Sequence, residues 1–138
     1  MGFSWNCRGV PACRVRYNPD MNAIMSSLPF VDGLAAFVKR NCPTCVLIAG
    51  EMQRVARELP HFHVVSQDDP QFPAAIERVV DDRELEHSWT HQIEATPTLI
   101  RFEGGQEKER VMGWDREAWR RLTGIADLGK GLPKFQPG

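Results

Sequence analysis

The chain has 138 residues, of which 42% are hydrophobic and 25% charged, and this is the size and composition of one globular domain. Its 17 lysines and arginines are balanced by 18 aspartates and glutamates, which argues against the basic excess typical of nucleic-acid-binding proteins. No apolar run approaches the ~18 residues of a membrane-spanning helix, and the first twenty residues contain no signal-peptide core. We therefore expect a cytoplasmic protein with no nucleic-acid or membrane partner.

The predicted elements follow a polar head. Residues 1–25 mix Gly, Pro, Arg and Asn without helical or strand periodicity, and we expect this head to be loosely ordered. Met21 and Met25 are candidates for the native start of the chain, which stays open. Residues 26–124 are predicted to form the domain, whose first strand is the apolar run at 34–38, of the kind that is buried on both faces of a sheet.

A long amphipathic helix is predicted next. Pro43 suits the first position of a helix, where its missing N–H would have no partner anyway. The apolar positions that follow recur at spacings of four, three and four residues, as they do on one face of a helix: Ile48, Met52, Val55 and Leu59. Pro60 ends this helix, which we place at residues 43–59, and the β-rich residues 61–66 predict a second strand.

The middle of the chain alternates short helices and strands. A helical patch is predicted around residues 74–80, followed by a helix at 83–91 that Asp82 caps with its carboxylate. Strands at 98–102 and 108–114 flank a Gly-Gly turn, and we expect them to pair as a hairpin.

The domain closes with a helix at 116–123, opened by Asp115 and stopped by Gly124. The order strand, helix, strand, helix, strand, strand, helix predicts an α/β fold with a mixed central sheet flanked by helices on both faces. Residues 125–138 are rich in Gly, Pro and Lys. They are predicted to be a tail or linker, either an unanchored end or the approach to a further domain.

The chemistry is expected at Cys42 and Cys45, where the first strand gives way to the long helix. Unpaired N–H groups and the helix dipole stabilise a thiolate there, and Lys39 and Arg40 add positive charge, so we expect a Cys42 pKa below the ordinary value of about 8.5. Cys45, inside the first turn, is expected to be more buried and protonated. Such a pair suits thiol–disulfide exchange, in which Cys42 attacks a disulfide and Cys45 resolves the mixed disulfide.

Two cysteines at this spacing are also half of a zinc site. The other half would come from Cys7 and Cys13, which are too far apart in sequence for a zinc knuckle, or from His61 and His63. The spacing alone favours neither reading. Its position at a strand–helix junction within a βαβ pattern favours redox chemistry, so we predict no metal site.

Two other spacings carry weaker signals. His87 and His91 are four residues apart on a predicted helix, a spacing that can bind zinc, but Ser88 stands where a metalloprotease has its glutamate. We interpret both histidines as solvated or partly packed. Cys7 and Cys13 are either a second redox pair or an incidental one.

Two separated motifs resemble the thioredoxin superfamily. One is CPTC at residues 42–45 with the helix turns that follow it, and the other is IEATPTL at residues 93–99, just before the predicted hairpin. The Gly-Gly turn, Gly113 and the closing helix also fit that family. The similarity covers roughly residues 34–124, and the two motifs occur in the right order on the right elements.

The resemblance implies a thioredoxin-like fold and a thiol–disulfide oxidoreductase that acts as a protein-disulfide reductase. Cys42 would be the attacking thiol and Cys45 the resolving thiol. The substrate-binding residues would be Pro43, Thr44, Thr96 and Pro97. Pro97 would be a cis-proline, and Thr96 would offer its backbone groups to an extended substrate peptide. The implied partners are a protein disulfide substrate and an upstream reductase or small thiol donor, and the chain would be a monomer without a cofactor.

The sequence departs from thioredoxin at several positions. Asn41 stands in place of a tryptophan, Pro43 and Thr44 in place of Gly-Pro, and Ala36 in place of a buried acid. Proton handling at Cys45 is therefore expected to differ. The direction of electron flow stays open, and so does an alternative function, a thioredoxin-like binding module whose cysteine pair is structural or binds zinc.

Overall fold

The computed structural model of the protein describes residues 32–138, and the predicted head with Cys7 and Cys13 lies outside the described residues. The elements, in chain order, are β1 (Gly33–Val38), α1 (Pro43–Leu47), α2 (Ala49–Glu58), β2 (Phe62–Ser66), β3 (Val79–Asp81), α3 (Glu86–Thr90), β4 (Thr98–Glu103), β5 (Gln106–Met112), β6 (Trp114–Asp115), α4 (Arg116–Thr123) and β7 (Phe135–Gln136). Among these residues, none of the helices has the length and apolar character to cross a membrane.

A five-stranded mixed sheet forms the centre of the fold, in the order β3-β2-β1-β4-β5. The first three strands run parallel, whereas β4 is antiparallel to β1 and β5 is antiparallel to β4. The predicted fold class, a mixed central sheet flanked by helices, is confirmed. Because β1 lies in the middle, its side chains from Ala35 to Val38 are fully buried, as the apolar run predicts for a strand covered on both faces.

The core has one cluster on each face of the sheet. On one face, Met52 and Val55 of α2 pack with Trp119 of α4. On the other face, Phe37 and Phe102 contact the ring of His91, at centroid distances of 5.8 and 5.3 Å. β1 is therefore packed on both faces, and the loop that follows it leads to the cysteine pair.

The long helix predicted at residues 43–59 is interrupted once. Ile48 has φ −99° and ψ 8° and separates α1 from α2, although its carbonyl still accepts the N–H of Met52 at 3.0 Å. Both helices keep the predicted apolar face, since Ile48, Met52 and Val55 are fully buried. The predicted end at Pro60 agrees with the C-cap at Leu59.

The helical patch predicted at residues 74–80 is wrong. Ala75 has a φ of +65°, which a helix does not accommodate, and the following residues form β3, which pairs in parallel with β2. The helix predicted at residues 83–91 is shorter than expected because Leu85 also has a positive φ, of +62°, so α3 begins at Glu86. Pairing with β2, a contact distant in sequence, overrides the local helical pattern.

The hairpin and the last helix agree with the prediction. β4 and β5 pair across Gly104 and Gly105, which both have positive φ. The Asp115 carboxylate accepts the Ala118 N–H at 3.2 Å and caps α4, and Gly124 ends that helix with φ +75°.

Within residues 125–138, for which a tail or linker is predicted, the part up to Pro133 packs against the domain. Leu128 is fully buried, and the Pro133 carbonyl accepts a hydrogen bond from the Trp114 Nε1–H at 2.7 Å. Beyond it, β7 pairs antiparallel with β6, with Gln136 opposite Trp114. The Gly- and Pro-rich composition does not reveal that Ile125 and Leu128 are buried, and the hydrogen bond between Trp114 and Pro133 spans 19 residues, which a local pattern does not show.

Candidate active site

Cys42 occupies the N-cap of α1, immediately after the loop that leaves β1. Its extended backbone, with φ −153° and ψ 107°, turns the Sγ back over the first turn, where it accepts the Cys45 N–H at 3.1 Å. Pro43 at the first helical position has no N–H that would compete for this sulfur. The side chain is only 6% exposed. A thiolate at Cys42 therefore has a hydrogen-bond donor already in place.

The loop before Cys42 is held by an aspartate that the sequence analysis missed. The two carboxylate oxygens of Asp68 accept the backbone N–H groups of Arg40 and Asn41, at 2.7 and 2.9 Å. The Arg40 guanidinium binds Asp69 at 2.9 Å. Of the two positive charges expected beside the thiol, that of Arg40 is thus paired with a carboxylate. Asp68 lies in an acidic turn after β2, and only the pairing of β2 with β1 brings it here.

Cys45 lies one turn into α1 and is fully buried. Burial raises the pKa of the Cys45 thiol well above its ordinary value, and the neighbouring Cys42 sulfur raises it further. The expected order of burial, with Cys45 deeper than Cys42, is present in the structure.

The Thr96–Pro97 segment lies directly beside the cysteine pair, and its peptide bond is cis. The Cys42 thiol donates to the Thr96 carbonyl oxygen at 3.4 Å, across 54 residues of sequence. The Pro97 carbonyl accepts the Gly113 N–H at 2.6 Å, which ties this segment to the end of β5. Sulfur, carbonyl and helix N-terminus thus meet at one point.

Thr44, between the two cysteines, contacts a segment that the sequence analysis did not connect with the site. Its hydroxyl donates to the Pro137 carbonyl oxygen at 2.7 Å, and its side chain is 5% exposed. The next residue, Gly138, lies against the Thr96 carbonyl, because a β-carbon built there would overlap that oxygen. The six predicted site residues are therefore brought together, and the end of the described chain lies on them.

The histidines weighed as zinc ligands lie elsewhere. His91 packs against Phe37 and Phe102 on the opposite core face, and its burial lowers its pKa. The pKa of His63 is lowered by burial and by the charge of Arg78. Over residues 32–138, no group of three or more His, Cys, Asp and Glu side chains is arranged to hold a metal ion.

Comparison with known proteins gives one sequence relative and many structural ones. No family model matches the chain. A thioredoxin of Chlamydia trachomatis is 27% identical over 92 residues, which cover 67% of this chain and 74% of that protein. The thioredoxin structure of Fasciola hepatica matches with a TM-score of 0.53 and 19% identity, and that of Plasmodium falciparum with 0.52 and 17%. Each match covers 76% of this chain and 89% of the other, and at these identities it shows a shared fold.

Proposed function

We propose that the chain, which has the fold of the thioredoxins and is similar in sequence to one of them, is a thiol–disulfide oxidoreductase that exchanges the Cys42–Cys45 dithiol with the disulfide of a protein substrate. The observation that carries this proposal is the 3.1 Å hydrogen bond from the Cys45 N–H to the Cys42 Sγ. Both cysteines are free thiols, and they differ in environment as an attacking and a resolving thiol must.

The proposed reaction begins at Cys42. Its thiolate attacks one sulfur of the substrate disulfide, the substrate S–S bond breaks, and a mixed disulfide forms while one substrate thiolate leaves. The Cys45 N–H stabilises the attacking thiolate before the reaction. In this step one disulfide replaces another, so no external oxidant or reductant takes part.

Cys45 completes the reaction. Its raised pKa keeps it protonated while the mixed disulfide forms, and the departing substrate thiolate is a base that can accept its proton. The Cys45 thiolate then attacks the Cys42 Sγ, the mixed disulfide breaks, and the second substrate sulfur leaves as a thiolate. Two electrons and the Cys45 proton have passed from the protein to its substrate, and the second substrate thiolate takes up the proton that Cys42 had released to solvent.

In this proposal, the remaining site residues bind the substrate. The Thr44 hydroxyl is a hydrogen-bond donor next to the reacting sulfur, and the Thr96 carbonyl is an acceptor on its other side. Pro43 and Pro97 border the same sulfur without backbone N–H groups of their own. An extended peptide would bind by backbone hydrogen bonds, as in strand addition.

The proposed direction is reduction of protein disulfides by a monomer in the cytoplasm, with an upstream reductase or a small thiol restoring the dithiol. The reduction potential tests this direction, because reductants of this kind have potentials of about −270 mV and isomerases have potentials of about −180 mV. Alkylation and mass spectrometry across a dithiol redox series measure it. A value near about −180 mV or above would reverse the proposed direction.

A trapping experiment tests the activity itself. In a background with Cys7 and Cys13 replaced by serine, Cys45→Ser should accumulate a mixed disulfide with a disulfide-bonded substrate, whereas Cys42→Ser should form none. Mass spectrometry identifies the linked cysteine. If no Cys42–Cys45 disulfide forms in the unsubstituted pair at any potential, the redox proposal fails.

The alternative is a binding module whose cysteines pack or bind zinc, and the burial of both sulfurs favours it. Zinc content and thermal stability of Cys42→Ala and Cys45→Ala distinguish the two functions. Loss of bound zinc together with unfolding supports the module. Loss of disulfide exchange in a folded protein supports the enzyme.

A further inference from the structure

The last five described residues, 134–138, cross the candidate active site, and we name them the strap. The Pro137 carbonyl accepts the Thr44 hydroxyl at 2.7 Å, and Gly138 lies against the Thr96 carbonyl and the Pro97 nitrogen. The strap therefore contacts Thr44, one of the two residues between the cysteines, and the Thr96–Pro97 segment beside the attacking sulfur.

We propose that the strap occupies the surface on which a substrate peptide binds and acts as an intramolecular competitor that must leave before a disulfide reaches Cys42. This inference rests on the proposed function, since it assigns the Thr44 hydroxyl and the Thr96–Pro97 backbone to substrate binding. Cys42 is only 6% exposed while the strap is in place, and an attacking thiolate needs in-line access to a sulfur.

The strap is bound as an extended peptide. It forms β7, which pairs antiparallel with β6, and the Arg116 N–H donates to the Lys134 carbonyl at 2.9 Å. Its contacts with the site are made by backbone carbonyl and α-carbon atoms, and its side chains are exposed, with Phe135 57% exposed. These are the contacts available to any extended peptide, so a substrate segment can replace the strap.

The preceding residues form a firm anchor, and the strap does not. Leu128 is fully buried, its carbonyl accepts the Arg120 Nε–H at 2.7 Å, and the Gly129 N–H donates to the Glu51 carboxylate at 2.7 Å. The strap has only a two-residue strand and exposed side chains. Because little apolar surface is buried beyond Pro133, opening at that residue leaves the anchor and the core intact.

The fit at Gly138 indicates what kind of peptide the surface accepts. A β-carbon at Gly138 would overlap the Thr96 carbonyl oxygen, so this position takes a residue without a side chain. Gly113 makes the approach possible, since a β-carbon there would lie 3.1 Å from the Gln136 carbonyl oxygen and 3.2 Å from the Gly138 nitrogen. The preferred occupant is an extended segment with glycine one residue after the carbonyl that Thr44 binds.

Truncation after Pro133 tests the competition directly. The experiment uses the Cys7→Ser, Cys13→Ser background. If the strap is open about a tenth of the time, the truncated protein should react with iodoacetamide at Cys42 about tenfold faster than the full chain. For the same reason, its KM for a disulfide-bonded protein should be about tenfold lower, with kcat unchanged. Lys134→Ala in the full chain is the matched control, because it removes only an exposed side chain. Equal alkylation rates and equal KM values in the truncated protein and the full chain would overturn the proposal.

Two further measurements keep the test decisive. A synthetic peptide of residues 133–138 should inhibit the truncated protein competitively, and the same peptide with Gly138→Val should not. If the truncated protein does not fold, Gly138→Val in the full chain should raise the alkylation rate instead, because its side chain overlaps the Thr96 carbonyl. If the truncated protein is alkylated faster but neither it nor the full chain exchanges disulfides, the proposed function is refuted, whereas the conclusion that the strap covers Cys42 is retained.

Discussion

The backbone N–H of Cys45 donates a hydrogen bond to the Sγ of Cys42 across 3.1 Å, so the residue that resolves the proposed intermediate also positions the sulfur that attacks. The same sulfur faces the Thr96 carbonyl at 3.4 Å. The Cys42 sulfur is therefore held between one donor and one acceptor, whereas the Cys45 sulfur is fully buried. This asymmetry has a measurable consequence for stability.

The reduced protein should lose stability as the pH rises above about 8.5. An unfolded Cys45 thiol ionises there, whereas burial raises its pKa in the folded protein, so ionisation favours the unfolded chain. The free energy of unfolding should fall by up to ~1.4 kcal/mol per pH unit from this group. Urea denaturation between pH 7.5 and 9.5 measures it, and Cys45→Ser should show a shallower decline. Identical slopes for the two proteins would contradict the assignment.

The position of the loop before Cys42 should depend on Asp68 and not on the neighbouring Asp69. Asp68→Ala removes the acceptor for two backbone N–H groups, those of Arg40 and Asn41, each worth about 1 kcal/mol. We expect alkylation of Cys42 in the truncated protein to change severalfold, because the N-cap is no longer fixed. Asp69→Ala is the matched control, since it removes an ion pair with Arg40 worth less than ~1 kcal/mol and the acceptor of the Gln71 N–H, but no hydrogen bond to the backbone of the loop. Equal effects of the two substitutions would show that Asp68 does not position the loop.

The features that the sequence predicts well are those decided within a few residues. The caps of α4 at Asp115 and Gly124 need only the local backbone, and so does the placement of Cys42 at the start of a helix after Pro43. The apolar residues of β1 are equally informative, because a strand buried on both faces is apolar at every position.

The features that the sequence does not predict depend on distant contacts. β3 forms because the chain after Ala75 pairs with β2, and Asp68 reaches the cysteine loop only through the sheet. The strap contacts Thr44 from 93 residues away, and its composition indicates a linker. Neither periodicity nor turn chemistry identifies a backbone contact at that separation.

A buried carboxylate should stabilise the first turn of α3. Asp82 is 1% exposed and accepts the His87 N–H at 2.9 Å and both the N–H and hydroxyl of Ser88, at 2.9 and 2.6 Å. Asp82→Ala leaves these donors without an acceptor and should lower the free energy of unfolding by about 3 kcal/mol. Ser88→Ala removes the hydroxyl, which also accepts the Gln67 Nε2–H at 2.9 Å, and should cost about 1 to 2 kcal/mol. Urea denaturation at pH 7 compares them, and a smaller loss for Asp82→Ala than for Ser88→Ala would contradict this account.

Alanine substitutions at two glycines distinguish the cost of steric overlap from the cost of backbone strain. Gly33 and Gly124 both have positive φ, of +117° and +75°, so alanine is strained at either position. At Gly33 a β-carbon would also overlap the His61 carbonyl oxygen, which accepts the Leu34 N–H at 2.9 Å and fixes the start of β1. At Gly124 no atom lies within 4 Å of that position.

Gly124→Ala should therefore lower the free energy of unfolding by about 1 kcal/mol, the cost of the left-handed backbone alone. Gly33→Ala should cost about 3 kcal/mol, because the overlap also displaces β1 from β2. Thermal and urea denaturation of the two variants measure the difference, and the alkylation rate of Cys42 shows whether it reaches the site. Because β1 leads into the loop before Cys42, a displaced β1 should change that rate in Gly33→Ala and leave it unchanged in Gly124→Ala. Equal losses of stability would mean that the start of β1 accommodates the added β-carbon at no cost in free energy, and that backbone strain alone explains both substitutions.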